Sequence, residues 1–311
     1  MVLIKKFTLI FAVVLFIQAQ QSSEILKKGS NSLTKVLQTY RFEVLPNDGS
    51  YTLEMNNLSG NVNIVGHENS SAKITITNIV HRIPKKEIQK AHQISKTIVK
   101  NLKNHNKIQI KGISTKENDD KIEKIIEMAL PKNLNLNFQL LGGDIDLYNI
   151  NGESIIETLG GNILLKNYSG RIEIKTNGGD INISNVNGNF RGHSFGGNIR
   201  ISQSNGEIYS SCIGGNIHMN DLNGKITSQT SGGSINLLKI QGTEINCNAS
   251  GGLIDCKNIS GKIILKNSGE GINIKNASGN LDLISTGGSI FLDEVKGSIK
   301  CKASIGVIKM S

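Results

Sequence analysis

Double glycines followed by an acidic or amide side chain recur in the C-terminal part of this sequence, for example GGD at residues 142–144 and again at 178–180. Turns of this kind can cradle phosphate with backbone amides or offer oxygen ligands to calcium. A phosphate-binding loop, however, has the form G-x-x-x-x-G-K-[ST], or opens a helix as G-x-G-x-x-G. Residues 142–148 read GGDIDLY, which fits neither form and alternates like a β-strand. The sequence therefore predicts no nucleotide site.

Calcium is the stronger alternative, because calcium-binding β-rolls repeat the nonapeptide G-G-x-G-x-D-x-U-x and half of the repeat here is also nine residues long. Ile145 stands where that motif needs its third glycine, and Leu147 stands where it needs the ligand aspartate. In other repeats Asn162, Asn198 and Asn216 replace the carboxylate after the double glycine. Because Ca²⁺ prefers several charged oxygen ligands, we predict neither a metal site nor a bound cofactor.

Cysteine and histidine are the remaining candidates for chemistry. The four cysteines, Cys212, Cys247, Cys256 and Cys301, include no C-x-x-C pair, and the six histidines form no H-E-x-x-H motif. An even number of cysteines permits disulfides in an exported protein. Three of the four occupy positions that other repeats fill with Leu or Ile, which favours buried free thiols. No catalytic residue is predicted, and we expect a protein that is not an enzyme.

Glycine positions reveal an internal repeat over the same part of the chain. Double glycines recur every 18 residues from Gly142, with one step of 19 between Gly232 and Gly251, and single glycines form a second series of the same period. Two residues after the second glycine position, ten of ten repeats carry Ile. These positions are Ile145, Ile163, Ile181, Ile199, Ile217, Ile235, Ile254, Ile272, Ile290 and Ile308.

Between the glycines, apolar residues alternate with Asp, Asn, Ser and Lys, the pattern of short strands with one buried face. Since one such coil cannot bury its apolar face alone, stacked coils must cover each other. We therefore predict an all-β fold, a parallel β-solenoid with two strands per 18-residue coil and about ten coils across residues 131–311. The step of 19 indicates one inserted residue, at Thr243 or Glu244.

Residues 35–130 precede the repeats and are predicted to form a β-rich cap, because the first coil would otherwise expose an apolar cross-section and a free edge. Gly60, Val62 and Ile64 reproduce the spacing of the later coils. Residues 84–102 carry apolar side chains at steps of three and four and predict an amphipathic helix inserted in this cap. Residues 119–130 fit helix or strand, and their Ile spacing favours a second helix.

Residues 1–19 have the features of a secretory signal peptide. Lys5 and Lys6 precede an apolar run from Phe7 to Ile17, and Ala19 offers a small residue for cleavage. The run is shorter than the about 20 apolar residues that span a bilayer. We expect residues 20–34 to form a linker and the chain to be exported to the periplasm, the cell surface or the extracellular space.

The formal net charge of +10 lies mainly near the N-terminus, where residues 1–130 account for +8. A basic surface can attract anionic polysaccharide or membrane. This excess lies partly in the signal peptide and partly in the Lys-rich segment 84–102, so a solvated face is the simpler interpretation. Export argues against a nucleic-acid partner.

Two stretches carry a family resemblance: FEVLPNDGSYTLEMNNLSGNVNIVG from residue 42, and ALPKNLNLNFQLLGGDIDLYNINGESIIETLGGNILL from residue 129, with Leu-Pro-Lys ahead of the first G-D-I strand. Residues 40–311 resemble the bacterial putative-adhesin family of exported β-strand-repeat proteins. The resemblance implies the fold and an exported location, and it supplies no catalytic residues. The Lys-rich segment 84–102 resembles an insertion relative to that family.

These observations favour an exported, non-enzymatic, adhesin-like β-solenoid with a binding or structural role at the cell surface or envelope. The alternatives are a carbohydrate-active enzyme on a β-helix and an envelope scaffold that binds a partner. Glycans or envelope components are the partners we expect, together with self-association through the C-terminal coil. The predicted binding face is a ladder of outward polar residues after the double glycines: Asp144, Asn162, Asp180, Asn198 and Asn216.

Overall fold

The protein is seen in a computed structural model that describes residues 22–27, 33–42, 45–81, 97–112 and 122–311. All its strands belong to one hydrogen-bonded sheet. In chain order they are β1 (Ser22–Lys27), β2 (Leu33–Phe42), β3 (Thr52–Ser59), β4 (Asn61–His67), β5 (Ala72–His81), β6 (Thr97–Leu102), β7 (Lys107–Gly112), β8 (Ile122–Pro131), β9 (Asn135–Gly142), β10 (Ile145–Thr158), β11 (Ile163–Thr176), β12 (Ile181–Ser194), β13 (Ile199–Cys212), β14 (Ile217–Thr230), β15 (Ile235–Ala249), β16 (Leu253–Asn267), β17 (Gly271–Ser285), β18 (Ser289–Ala303) and β19 (Ile308–Met310).

Strands β10–β18 are the successive coils of a parallel β-solenoid, and β19 begins a tenth, as the repeat predicts. Neighbouring coils pair 18 residues apart, so that Ile145 lies beside Ile163 and Gly152 beside Gly170. At the single step of 19 residues, Lys225 pairs with Glu244 rather than Thr243. Thr243 is therefore the inserted residue, and it forms a bulge.

The sequence predicts two strands per coil, but each coil instead contains one bent strand of 14 or 15 residues. The bend falls at a residue with left-handed backbone, such as Asn149 at φ 58°, followed three residues later by the single glycine, such as Gly152 at φ 153°. These two conformations turn the chain while the ladder continues through the corner. We call the part before the bend the leading segment (145–148 in the first coil) and the part after it the trailing segment (153–158).

The core runs along the axis of the solenoid, between the leading and trailing segments. Nine of the ten Ile in the repeat column are fully buried, and Ile308 in the last coil is exposed. Burying one such side chain stabilises the fold by roughly 2 kcal/mol. Identical residues at a fixed period therefore give each coil the same favourable contact with the next.

The cap continues both segments of the first coil toward the N-terminus. β4 and then β8 extend the leading side in parallel, with Val62 beside Ile145 and Ile64 beside Leu147, as the shared spacing predicts. β9, β3 and β7 extend the trailing side. Antiparallel strands then end the parallel stack: β5, β2 and β1 beyond β8, and β6 beyond β7.

The two helices predicted in the cap are not part of it as described. Residues 122–131, for which the Ile spacing favours a helix, form strand β8, and residues 97–102 at the end of the predicted helix 84–102 form strand β6. Residues 84–96 and the predicted signal peptide lie outside the described residues. The stretch 20–34, predicted to be a linker, contains β1 and the start of β2. Among described residues the one helical element is the 3-10 turn Lys103–His105, and none forms a helix that could span a membrane.

Candidate functional site

The double-glycine corners are closed from inside by a column of small buried polar side chains. Ser194 Oγ donates to the carbonyl of Gly179 at 3.0 Å and accepts the amide of Gly197 at 2.9 Å. Thr230 makes the equivalent bonds to Gly215 and Gly233. The carbonyls of Gly179 and Gly215 and the amides of Gly197 and Gly233 are thus satisfied within the fold. The other buried members of the column are Thr158, Thr176, Cys212, Asn267 and Ser285, and Ala249 occupies the same position without a polar group.

Glycine itself is required where consecutive corners stack. At Gly161, which has φ 96°, a Cβ atom would lie 2.1 Å from the carbonyl oxygen of Gly143 in the preceding coil. No side chain fits at that distance. The paired glycines therefore permit close approach of the backbones of successive coils. This is a structural role, consistent with a sequence that matches neither the phosphate-binding nor the calcium-binding motif.

One serine in this column lies in a GHSFG sequence at residues 192–196, which has the letters of a nucleophile elbow, G-x-S-x-G. Ser194 is buried at the end of β12, with its hydroxyl engaged at the glycine corner. An elbow requires a serine exposed on a strand-to-helix turn. The motif is therefore fortuitous, and Ser194 has a structural role. Among the described residues, no group of three or more His, Cys, Asp or Glu is placed to hold a metal ion.

The predicted polar ladder is brought together in one column, with each side chain bonded to the next coil. Asp144 Oδ1 accepts a hydrogen bond from the backbone amide of Asn162 at 2.7 Å, and Asn162 Oδ1 accepts one from the backbone amide of Asp180 at 3.0 Å. In the next coils, Asp180 Oδ1 accepts the backbone amide of Asn198 at 2.8 Å, and Asn198 Oδ1 accepts the backbone amide of Asn216 at 2.9 Å. One side-chain oxygen of every member thus accepts a backbone amide of the next coil, and Asn216 Oδ1 accepts the amide of Ser234.

Asp180 also has a second partner, since its Oδ2 accepts a hydrogen bond from Arg200 Nη1 at 2.6 Å. Burial raises the pKa of Asp180, but the Asn198 amide and the Arg200 guanidinium outweigh burial and hold that pKa below its ordinary value. The carboxylate therefore stays charged and fixes the position of Arg200. Arg200 itself belongs to the neighbouring outward column, between Asn182 and His218.

That column forms one side of a groove on the outer face of the leading segments, which we call the leading groove. It has a volume of about 660 Å³ and extends from Leu164 in the second coil to Asp255 and Lys257 in the seventh. Five coil steps at about 4.8 Å give a length of about 24 Å. Its other polar lining residues are Asn182, Ser184, Arg200, Ser202, His218, Asn220 and Asn236.

At the centre of the leading groove, one imidazole ring is hydrogen-bonded to one side-chain amide. Asn236 Nδ2 lies 3.1 Å from His218 Nδ1. Burial and then the charge of Arg200 lower the pKa of His218, so the ring is neutral at pH 7. In the neutral ring Nδ1 accepts from Asn236, and the opposite nitrogen carries a hydrogen that can be donated to a ligand.

Other groove side chains have no partner within the described part of the protein. The amides of Asn182 and Asn220 and the hydroxyl of Ser184 form no hydrogen bond there. Each can both donate and accept. The leading groove therefore offers uncommitted hydrogen-bonding groups together with the apolar side chains of Leu164 and Leu238.

A second, smaller depression of about 290 Å³ lies on the outer face of the trailing segments, and we call it the trailing pocket. Its walls are charged: Arg171, Arg191 and Lys225 face Glu173 and Glu207. Tyr209 forms part of the wall, with its ring centre 5.3 Å from Arg191 Cζ and 5.3 Å from the ring of His193.

Neither the leading groove nor the trailing pocket is predicted from the sequence. The outward columns that line them are visible in the sequence as period-2 polar positions, but this alternation does not show where neighbouring side chains leave a depression. The left-handed bend had a signal in several coils: Asn149, Asn167 and Asn185 each stand three positions before a single glycine.

Comparison with known proteins gives neighbours among solved structures only. No protein-family model matches the chain, and no curated protein matches its sequence. The chain is similar to a putative adhesin from Bacteroides fragilis, with 15% identity, a TM-score of 0.29, and coverage of 88% of this chain and 97% of that one. It is also similar to a putative cell adhesion protein from Clostridium sporogenes, with 10% identity, a TM-score of 0.26, and coverage of 88% and 98%.

Proposed function

We propose that this protein is an exported, non-enzymatic, adhesin-like β-solenoid that binds a polysaccharide or another polar envelope polymer along its leading groove. The observation that carries this proposal is the set of unpartnered amide and hydroxyl groups along the groove: Asn182 and Ser184 lie on one coil, and Asn220 lies two coils further on, about 9.6 Å away. A polymer of hydroxylated units that runs along the groove can contact both places.

Binding without cleavage is favoured by the chemistry of the groove. Glycoside hydrolysis needs two carboxyl groups roughly 5–9.5 Å apart. Among the described residues that line the groove, Asp255 is the single carboxylate, and it lies at one end. The groove therefore has hydrogen-bonding groups for recognition and lacks the carboxylate pair that the enzyme alternative requires.

A glycan and envelope-fraction binding screen of the purified protein tests the proposal. The double variant Asn182→Ala, Asn220→Ala removes two uncommitted amides, and we expect it to weaken binding about tenfold or more, since each lost hydrogen bond contributes about 1 kcal/mol. Asn280→Ala is the matched control, because Asn280 is an exposed asparagine on the trailing face. Absence of binding to every glycan, or equal loss in the control, would contradict the proposal.

A further inference from the structure

The trailing pocket has features that the leading groove lacks, and we infer that it is a separate binding site for a carboxylate-bearing saccharide unit. Its lining combines two arginines, a lysine and a tyrosine on four successive coils. The leading groove, by contrast, is lined mainly by uncharged amides and hydroxyls. The two faces therefore suit ligand groups of different charge.

The arginines of the trailing pocket are free to bind an anion. Within the described chain, Arg171 and Arg191 form no ion pair or hydrogen bond through their guanidinium groups. Arg191 instead lies over the ring of Tyr209, with its Cζ 5.3 Å from the ring centre. This cation–π contact helps to hold the guanidinium in place. Its N–H groups have no partner in the described chain, so they can bind a carboxylate through two parallel hydrogen bonds.

The acidic residues of the pocket leave a surplus of positive charge. Glu173 is held by Lys175 at 2.9 Å, and this hydrogen bond lowers the pKa of Glu173. Lys175 therefore neutralises Glu173, although it also contacts Glu157 at 3.2 Å. Among the residues that line the pocket, Glu207 then remains as the one carboxylate against Arg171, Arg191 and Lys225. Glu153 lies beside Arg171 and Glu244 beside Lys225 at the two ends of the pocket, and Lys262 holds Glu244 at 3.4 Å. An anionic ligand gains from this imbalance, and Glu207 can accept a sugar hydroxyl.

Tyr209 lines the same pocket, and its hydroxyl is held at the pocket's edge. Gln229 Nε2 donates to the Tyr209 hydroxyl oxygen and is itself 3.2 Å from Ser211 Oγ. Because the tyrosine oxygen accepts this bond, its own hydrogen can be donated to a ligand. Amphipathic rings with a fixed polar tip suit sugars, which present hydroxyls and an apolar C–H face.

The test uses polygalacturonate, a carboxylated polysaccharide, with its methyl ester as the uncharged form and dextran sulfate as a sulfated polyanion. We expect the protein to bind polygalacturonate but not the methyl ester. The variants Arg171→Ala and Arg191→Ala should each weaken that binding about tenfold or more, and Arg191→Lys should restore only part of it because lysine lacks the planar fork.

The controls separate this site from diffuse charge and from the leading groove. Lys262→Ala and Lys300→Ala change exposed lysines of the trailing face outside the pocket, and they should leave binding unchanged. Asn182→Ala with Asn220→Ala should also leave polygalacturonate binding intact. Unfolding midpoints in urea confirm that every variant is folded. The inference would be overturned by unchanged binding in the arginine variants or by equal loss in the lysine controls. It would also be overturned if the methyl ester bound equally well, or if dextran sulfate bound equally well and in the same arginine-dependent way.

Discussion

The ring of Phe190 occupies the space beside Gly192 in the trailing segment of the third coil. A Cβ atom at Gly192 would lie 2.4 Å from Cζ of Phe190. In the neighbouring coil the equivalent positions hold Ile172 and Ile174. The larger aromatic residue is thus matched by a residue with no side chain, so that the pair keeps about the same total volume in the core.

Gly192→Ala should destabilise the protein by about 1–3 kcal/mol, because a methyl group forced against a buried ring strains the core. Urea denaturation measures the loss. Adding Phe190→Ile should recover part of it, since the smaller side chain makes room for the new methyl group. Gly160→Ala is the control, as a Cβ there meets no atom within 4 Å. Equal effects of Gly192→Ala and Gly160→Ala would show that the ring does not fill this space.

Asn198→Ala distinguishes the structural role of the polar ladder from a binding role. The substitution removes the oxygen that accepts the Asn216 amide at 2.9 Å, and we expect it to cost about 0.5–1.5 kcal/mol of unfolding free energy. Glycan binding should be unchanged. Asn205→Ala, an exposed asparagine of the same coil, should alter neither quantity. Lost binding at unchanged stability in Asn198→Ala would instead assign the ligand to the ladder.

The solenoid could be predicted because its signal is repeated. A fixed inward column of Ile and two glycine series leave one way to bury the apolar positions. The coil spacing and one inserted residue at Thr243 or Glu244 follow from counting, and the strand register assigns the insertion to Thr243. Irregular strands give no such repetition. In β8 the inward positions are Lys124, Ile126, Met128 and Leu130, so a buried lysine interrupts the period of two. Because a lysine fills this inward position, the Ile residues that remain stand at steps of three and four, as in a helix.

The candidate sites were harder to predict for a different physical reason. Sequence alternation shows that Asn182 and Tyr209 point outward, yet it does not show which outward groups are already bonded. Asp144 and Asn220 are both outward polar residues, but the oxygen of Asp144 is used between coils, whereas the amide of Asn220 is free in the described structure. That difference depends on distances across coils, which residue types alone do not determine.

The buried cysteines should resist thiol reagents until the protein unfolds. Burial raises the pKa of Cys247 to about 12 and also raises that of Cys256. Since the thiolate is the reactive form, raising the pH to 9 should leave both almost unreactive. Cys301 is only partly buried and should react first. Timed labelling with a chromogenic disulfide, with and without urea, measures this order. Rapid labelling of Cys247 in the folded protein would contradict the burial.

Self-association through the last coil is the remaining prediction from the sequence. Ile305, Val307, Ile308 and Met310 are all exposed there, in contrast to the buried Ile of the earlier coils. In the described chain, β19 pairs only with residues 290–292 of β18, which leaves the outer edge of residues 297–303 unpaired. Apolar side chains beside an open edge favour pairing with another strand.

We therefore expect the protein to form dimers or larger species as its concentration rises. The double variant Ile308→Lys, Met310→Lys should shift it toward monomer, because charge placed on the open coil opposes desolvation of that surface. Sedimentation velocity over a range of concentrations measures the shift. Leu159→Lys is the matched control, since Leu159 is also an exposed apolar residue (59%) but lies at a corner of the first coil. A monomer at every concentration, or an equal shift in Leu159→Lys, would exclude association through the last coil.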